Sequence, residues 1–170
     1  MAPATEAKLR RLLGLRPLPG EGGYFVESYR SPLALAGSLL GGSGETGERS
    51  LCTAIYYMLT PTAFSALHKL KADEIYHFYT GDPVELLQLF PDGSSDIVVL
   101  GPEPFRGMKF QHVVPAGVWQ GSRLLSGGRY ALLGTTMAPG FEFQDFVKGD
   151  ASTLTSAYPD RAAMIYELLK

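Results

Sequence analysis

Hydrophobic and polar positions alternate with a period of two along most of this chain, in short runs. From Leu51 to Val147 the segments LCTAIYYML, SALHKLK, EIYHFYT, VELLQLF, SDIVVL, FQHVVP, VWQGSRLL, RYALLGTTM and FEFQDFV follow one another, each bounded by Gly, Pro, Asp or Ser. YFVESYR (Tyr24–Arg30) has the same period earlier in the chain. A period of two places successive side chains on opposite faces of a strand, so about ten short strands are predicted. Parallel pairing needs a long crossover between strands. Almost no helix separates these segments, so an antiparallel sandwich or barrel is expected. Pro91-Asp92-Gly93-Ser94 between two apolar runs is the clearest hairpin signal, and Gly81-Asp82-Pro83 and Gly127-Gly128 mark two further tight connections.

Helical spacing is confined to the ends. TEAKLRRLL (Thr5–Leu13) places Leu9, Leu12 and Leu13 on one side, with Thr5 to cap it and Gly14 to end it. Asp150–Tyr158 and Pro159–Leu169 predict two short closing helices, the second opening on a proline where the first turn tolerates it. The chain of 170 residues is thus expected to be one domain (1–170), with a barrel core at about 24–147 and a C-terminal helical segment at about 150–169. Leu39–Ser50, rich in Gly, Ser and charge, is expected to be a surface loop or flap. In LRPLPGEGG, Gly20, Gly22 and Gly23 crowd together where the backbone must turn sharply or lie close to something.

Composition adds exclusions. A net charge of −2 gives no long-range attraction to nucleic acid or an anionic membrane, so neither is expected as a partner. The longest apolar region, Leu51–Leu67, is broken by Pro61 and falls short of a membrane span. The charged N-terminus reads as no signal peptide, and the single cysteine, Cys52, lies in an apolar run as a core residue. A cytoplasmic protein is the expectation.

The chemistry concentrates in SALHKLKADEIYHFYTG (Ser65–Gly81), which holds two of the three histidines. As a tight hairpin centred on Lys71, it would make His68 and Glu74 cross-strand neighbours on one face, with Cβ atoms roughly 5 Å apart. An imidazole beside a carboxylate suits metal ligation or general-base chemistry, and also a plain structural hydrogen bond. His77 falls on the face opposite Glu74 and Tyr76, which assigns it to packing. Trp119 falls opposite Gln120 and is read the same way, and His112 is read as solvent-facing or structural.

His68, Glu74 and Gly81 resemble the first cupin motif, and Pro115-Ala-Gly117-Val-Trp119-Gln120 resembles the second. Together with GGYFVESYRS, TAIYYMLTP, VVPAGVWQGSRL and APGFEFQDFVKGD, they make the chain similar to the fifth cupin family, uncharacterised single-domain cupins akin to nucleotide-sugar epimerases, from about Lys8 to Tyr158. That resemblance implies an all-β double-stranded β-helix (a jelly-roll-like barrel) with a ligand cavity, commonly a homodimer. YFVESYR is a candidate strand for pairing across the two-fold axis. Two motif histidines are replaced, by Leu70 and Gln120. No cofactor is therefore expected, and a weakly bound divalent metal on His68, Glu74 and Gln120 is the alternative.

Ser65-Ala-Leu-His68-Lys69 is similar to the context of the histidine base in metal-independent nucleotide-sugar epimerases of the same superfamily. By that likeness His68 is the base, Glu74 its orienting partner and Tyr76 the acid, with Tyr24, Tyr29 and Tyr130 left open. Arg30, Ser65, Lys69, Lys71, Gln120 and Ser122 are the candidate ligand-binding residues, and a nucleoside diphosphate or nucleotide sugar is the expected ligand. The competing classes are a metal-dependent cupin enzyme and a non-catalytic binding or sensing cupin.

Overall fold

The computed structural model describes residues 5–37 and 47–169. Thirteen strands and three α-helices are assigned among them. The strands are β1 (Arg16–Pro17), β2 (Tyr24–Arg30), β3 (Ala34–Ala36), β4 (Glu48–Ser50), β5 (Thr53–Leu59), β6 (Ser65–Lys69) and β7 (Glu74–Gly81). They continue as β8 (Val84–Leu89), β9 (Ser95–Leu100), β10 (Gln111–Val114), β11 (Trp119–Leu124), β12 (Ala131–Met137) and β13 (Val147–Lys148). The helices are α1 (Thr5–Leu13), α2 (Ala151–Ala157) and α3 (Ala162–Glu167).

Two antiparallel sheets face each other, ordered β1-β2-β5-β12-β7-β10 and β13-β6-β11-β8-β9, with β3 and β4 paired as a small ribbon. The PDGS turn forms as expected: Phe90 N donates to Ser94 O (2.9 Å), and the Asp92 carboxylate takes the Ser94 N–H (2.9 Å). That sets Leu89 opposite Ser95. Asp150 caps α2 by accepting from Thr153 N (2.9 Å). The second closing helix is divided, with a 3-10 turn at Pro159–Arg161 before α3. Of the loop expected at 39–50, positions 39–46 lie outside the described residues, and Glu48–Ser50 is strand β4.

Three apolar clusters follow from strand alternation. Leu86, Leu124, Leu133 and their neighbours fill the space between the sheets. Leu67, Leu87 and Leu89 point the other way, under Leu154, Ile165 and Leu168 of the C-terminal segment. Met58 and Leu132 on the six-stranded sheet are covered by Leu9 and Leu13 of α1.

The hairpin expected across Lys71 does not form. β6 belongs to the five-stranded sheet and β7 to the six-stranded one, and residues 70–73 carry the chain between them. His68 sits opposite Gln120 and Lys148, and Glu74 opposite Val114 and Met137. The cause is burial: Ser65 to His68 are buried on both faces of β6, and the five-stranded sheet is the one whose outer face α2 and α3 cover. His68 and Glu74 nevertheless both turn inward, because the two sheets present their inner faces to each other.

Within the six-stranded sheet, β2 pairs with β5 along its length and with β1 at Tyr24 and Phe25. Among the described residues, the outer edge of Val26–Arg30 has no strand partner.

Candidate functional site

A cavity of about 110 Å³ opens on the inner face of the six-stranded sheet, at the end marked by Glu74, Thr53 and Met137, with Leu18, Glu21, Leu70, Phe141, Glu142 and Phe143 closing its other sides. Glu74 begins β7 and reaches this cavity, although its residue is only 7% exposed. The amide of Gln120, from β11 in the facing sheet, donates to its Oε2 (2.8 Å). Burial, and then the Glu21 carboxylate, push the Glu74 carboxyl up to about 7, against the opposing pull of His68, Thr135 and Gln120. A carboxyl poised there can give or take a proton near neutrality.

Glu21 comes from the glycine-rich turn. Gly22 (φ +98°) and Gly23 (φ +69°) adopt left-handed backbone. A Cβ on Gly22 would lie 2.4 Å from the Phe64 carbonyl, and one on Gly23 2.6 Å from the Tyr57 ring. Packed that closely, the turn seats Glu21 against β6. Its carbonyl accepts from Ala66 N (2.8 Å) and its carboxylate from Ser65 Oγ (2.8 Å).

His68 stands behind Glu21. It is 1% exposed, stacks on Phe146 (5.1 Å between centroids), and is not among the residues lining the cavity. Its Nδ1 lies 2.8 Å from the Ala66 carbonyl, which can only accept, so Nδ1 carries a proton. Nε2 faces Glu21 Oε2 at 3.9 Å.

Tyr76 shares the inner face with Glu74, as alternation predicts, but it is wholly buried and off the cavity wall. Tyr57 of β5 lines the cavity instead and donates to the Gly22 carbonyl (2.9 Å). Burial, helped by Glu21 and Glu74, holds both phenols well above their ordinary range. Tyr24 and Tyr130 pack in the cluster under α1, and Tyr29 is exposed.

The expected ligand-binding residues are dispersed. Arg30 reaches the cavity mouth, where Glu27 (3.1 and 2.9 Å), Glu142 (2.8 Å) and the Phe141 carbonyl (3.1 Å) hold its guanidinium. Ser65 and Gln120 are bonded to Glu21 and Glu74 as described. Ser122 is buried, and its Oγ, like Gln120 Oε1, has no hydrogen-bond partner among the described residues. Lys69 lies on the other face of β6 from His68, its Nζ 4.7 Å above the Trp119 ring. Lys71, on the crossover, approaches Asp145 at 3.7 Å and borders a separate hollow with Arg49. Away from the cavity, His77 bonds Thr136 and Gln111, and His112 bonds Gln88.

The donors present do not suit a metal ion. Among the described residues, no three His, Cys, Asp or Glu side chains are arranged to hold one. Gln120 directs an N–H, not a lone pair, at Glu74, so the set His68, Glu74 and Gln120 does not converge on a common point as ligands. Sequence reasoning missed Glu21 and Tyr57. The available signals were a carboxylate among three glycines, and the inward phase of Thr53, Ile55 and Tyr57 on β5.

Two antiparallel sheets packed face to face, with a partly polar cavity at one end and apolar packing closing the other, define a cupin barrel. The chain belongs to the family described as Cupin superfamily (DUF985), whose profile matches residues 7–148. An uncharacterized Saccharomyces cerevisiae protein, YML079W, is 34% identical over 153 residues, covering 84% of this chain and 76% of that one. A hypothetical protein from Leishmania major (TM-score 0.83, 30% identity) spans 97% of this chain and 98% of its own. Shewanella oneidensis protein SO0799 (TM-score 0.83, 30% identity) covers 96% of each chain. Bacillus subtilis oxalate decarboxylase (TM-score 0.53, 15% identity, 91% of this chain and 37% of that one) shares the fold alone. No helix among the described residues is long and apolar enough to cross a membrane.

Proposed function

We propose that this cupin binds a small polar molecule in the cavity on the inner face of its six-stranded sheet and exchanges a proton with it through Glu74, as an isomerase-like acid–base catalyst. The observation that carries this is the placement of two carboxyl groups, Glu74 and Glu21, on one enclosed wall, with the imidazole of His68 behind Glu21. Such a pair can hold a proton at the wall without a metal, and a proton taken from one ligand atom and returned to another needs no co-reactant. His68 then acts as a positioning residue for Glu21, not as the base that touches the ligand. Tyr57, rather than Tyr76, is the phenol that a ligand meets.

A nucleoside diphosphate would need cationic donors at the wall. Among the described residues, Arg30 is the lining's one cation and is bound by two carboxylates, while Lys69 lies on the other face of its strand. At about 110 Å³ the cavity is also small beside the 300–1,000 Å³ of drug-sized ligand sites. The geometry therefore favours a compact ligand over a nucleotide.

The test is deuterium uptake from heavy water into a panel of small hydroxylated, keto and amino compounds, followed by proton NMR. Uptake into one member, lost in Glu74→Gln and reduced in His68→Ala, is the expected result. No uptake into any member, in a protein shown to bind one of them, would reduce the site to a binding pocket.

A further inference from the structure

The cavity has a marked imbalance between hydrogen-bond donors and acceptors. Among the described residues, four carboxylates line it, Glu21 and Glu74 deep and Glu27 and Glu142 at the mouth, against one guanidinium, Arg30. The strong donors are already committed: Arg30 to Glu27, Glu142 and the Phe141 carbonyl, and the Tyr57 hydroxyl to the Gly22 carbonyl. Beyond these, the lining offers the hydroxyls of Thr53 and Thr135, which serve equally as acceptors.

Acceptors are in surplus. Carboxylates on a partly desolvated wall that lack matching donors cost free energy that a donor-bearing ligand recovers. The remaining wall is largely apolar or aromatic, with Phe25, Tyr57, Phe141 and Phe143 presenting rings to the same space. Carboxylates backed by aromatic rings in a partly desolvated site suit an organic cation, through ion pairing and cation–π attraction together. They oppose an anion, which would meet uncompensated negative charge.

We infer that the ligand of this cavity is a small organic cation, a primary ammonium compound of a few heavy atoms, with Glu21 and Glu74 as its counter-charges and the Phe25 and Tyr57 rings as its apolar walls. This rests on the cavity being the binding site proposed above, but it does not require any chemistry to occur there.

The experiment is titration calorimetry of the full chain with ethylamine, glycerol and inorganic phosphate at constant ionic strength, in two buffers of different ionisation enthalpy. Ethylamine is expected to bind at least ten-fold more tightly than glycerol, with no phosphate binding. Its heat should depend on the buffer, because a cation beside Glu74 displaces the proton that burial keeps there. Glu21→Gln is expected to weaken ethylamine at least ten-fold and Glu21→Asp by less. The proton release is read in the unaltered protein, so the inference stays testable if either variant misfolds. Glycerol or phosphate binding as tightly as ethylamine, or no ethylamine binding at about ten millimolar, would overturn the inference. Deuterium uptake into a neutral compound without ethylamine binding would overturn this inference and leave the acid–base role standing. Ethylamine binding without exchange into any compound would do the reverse.

Discussion

The two ends of the barrel interior are built from the same strands and do opposite things. Along β8 the inward residues run Val84, Leu86, Gln88, and along β11, read backwards, Leu124, Ser122, Gln120. Along β7, again backwards, they run Phe78, Tyr76, Glu74, and along β12 Ala131, Leu133, Thr135, Met137. Each begins apolar and turns polar, and β12 then ends on Met137 opposite Glu74. At the apolar end, Val84, Leu86, Ala131 and Leu133 are wholly buried and pack against one another. At the polar end, Glu74 and Thr135 are also buried, yet they line a cavity, and the Oε1 of Gln120, which holds Glu74, lacks a partner among the described residues. Burial alone therefore does not distinguish a filled end from a working one. The difference lies in whether the buried groups satisfy one another.

The largest expected effect is at the filled end. Leu133→Ala should cost about 3–5 kcal/mol of stability, because close-packed neighbours cannot collapse into the vacated space. Ethylamine binding should survive in whatever fraction remains folded. Urea denaturation checks the first point, and calorimetry at low temperature the second. A loss below about 1 kcal/mol would mean the two ends are less different than their packing suggests.

Gly23→Ala tests how the working end is assembled. A Cβ there meets the Tyr57 ring at 2.6 Å, on a backbone with φ +69°. A cost of about 2–3 kcal/mol is expected, accompanied by weaker binding as Glu21 is displaced. Unchanged binding, measured by the same titration, would detach Glu21 from the site.

The smallest effect sharpens the electrostatic side of the comparison. Glu74 is raised from 4.5 to about 7 on folding, so the folded chain holds more protons than the unfolded chain between those values. Stability contributed by this group is complete below about 4.5 and is lost as pH rises through about 7. The decline should be on the order of 2 kcal/mol in urea midpoints compared at pH 5 and 8. Glu74→Gln should flatten that difference while changing stability at pH 5 by less than about 1 kcal/mol. An equal slope in the variant would assign the pH dependence elsewhere.

Much of the architecture was legible because period-two alternation and turn chemistry act locally. The β8–β9 turn needs only Pro91 to Ser94, and the N-terminus of α2 only Asp150. The inward phase of Glu74, Tyr76 and Gln120 follows from the same rule. The partner of a strand does not. SALHK followed by a short link and EIYHFYTG is equally consistent with a hairpin and with a crossing between sheets, and α2 and α3, some eighty residues further on, decide the outcome by covering Leu67 (on the order of the chain separations that make contacts non-local). Glu21 was missed because a residue on a turn has no periodicity to reveal its direction. Tyr57 was passed over for Tyr76 because both phases point inward, and only the position of the opening separates them.

Mounting Glu21 on a glycine turn instead of a strand has an evolutionary corollary. A substitution at that position alters the charge offered to a guest without shifting any ladder of the two sheets. Relatives that keep the two neighbouring glycines could thus diverge in what they accept while remaining superimposable.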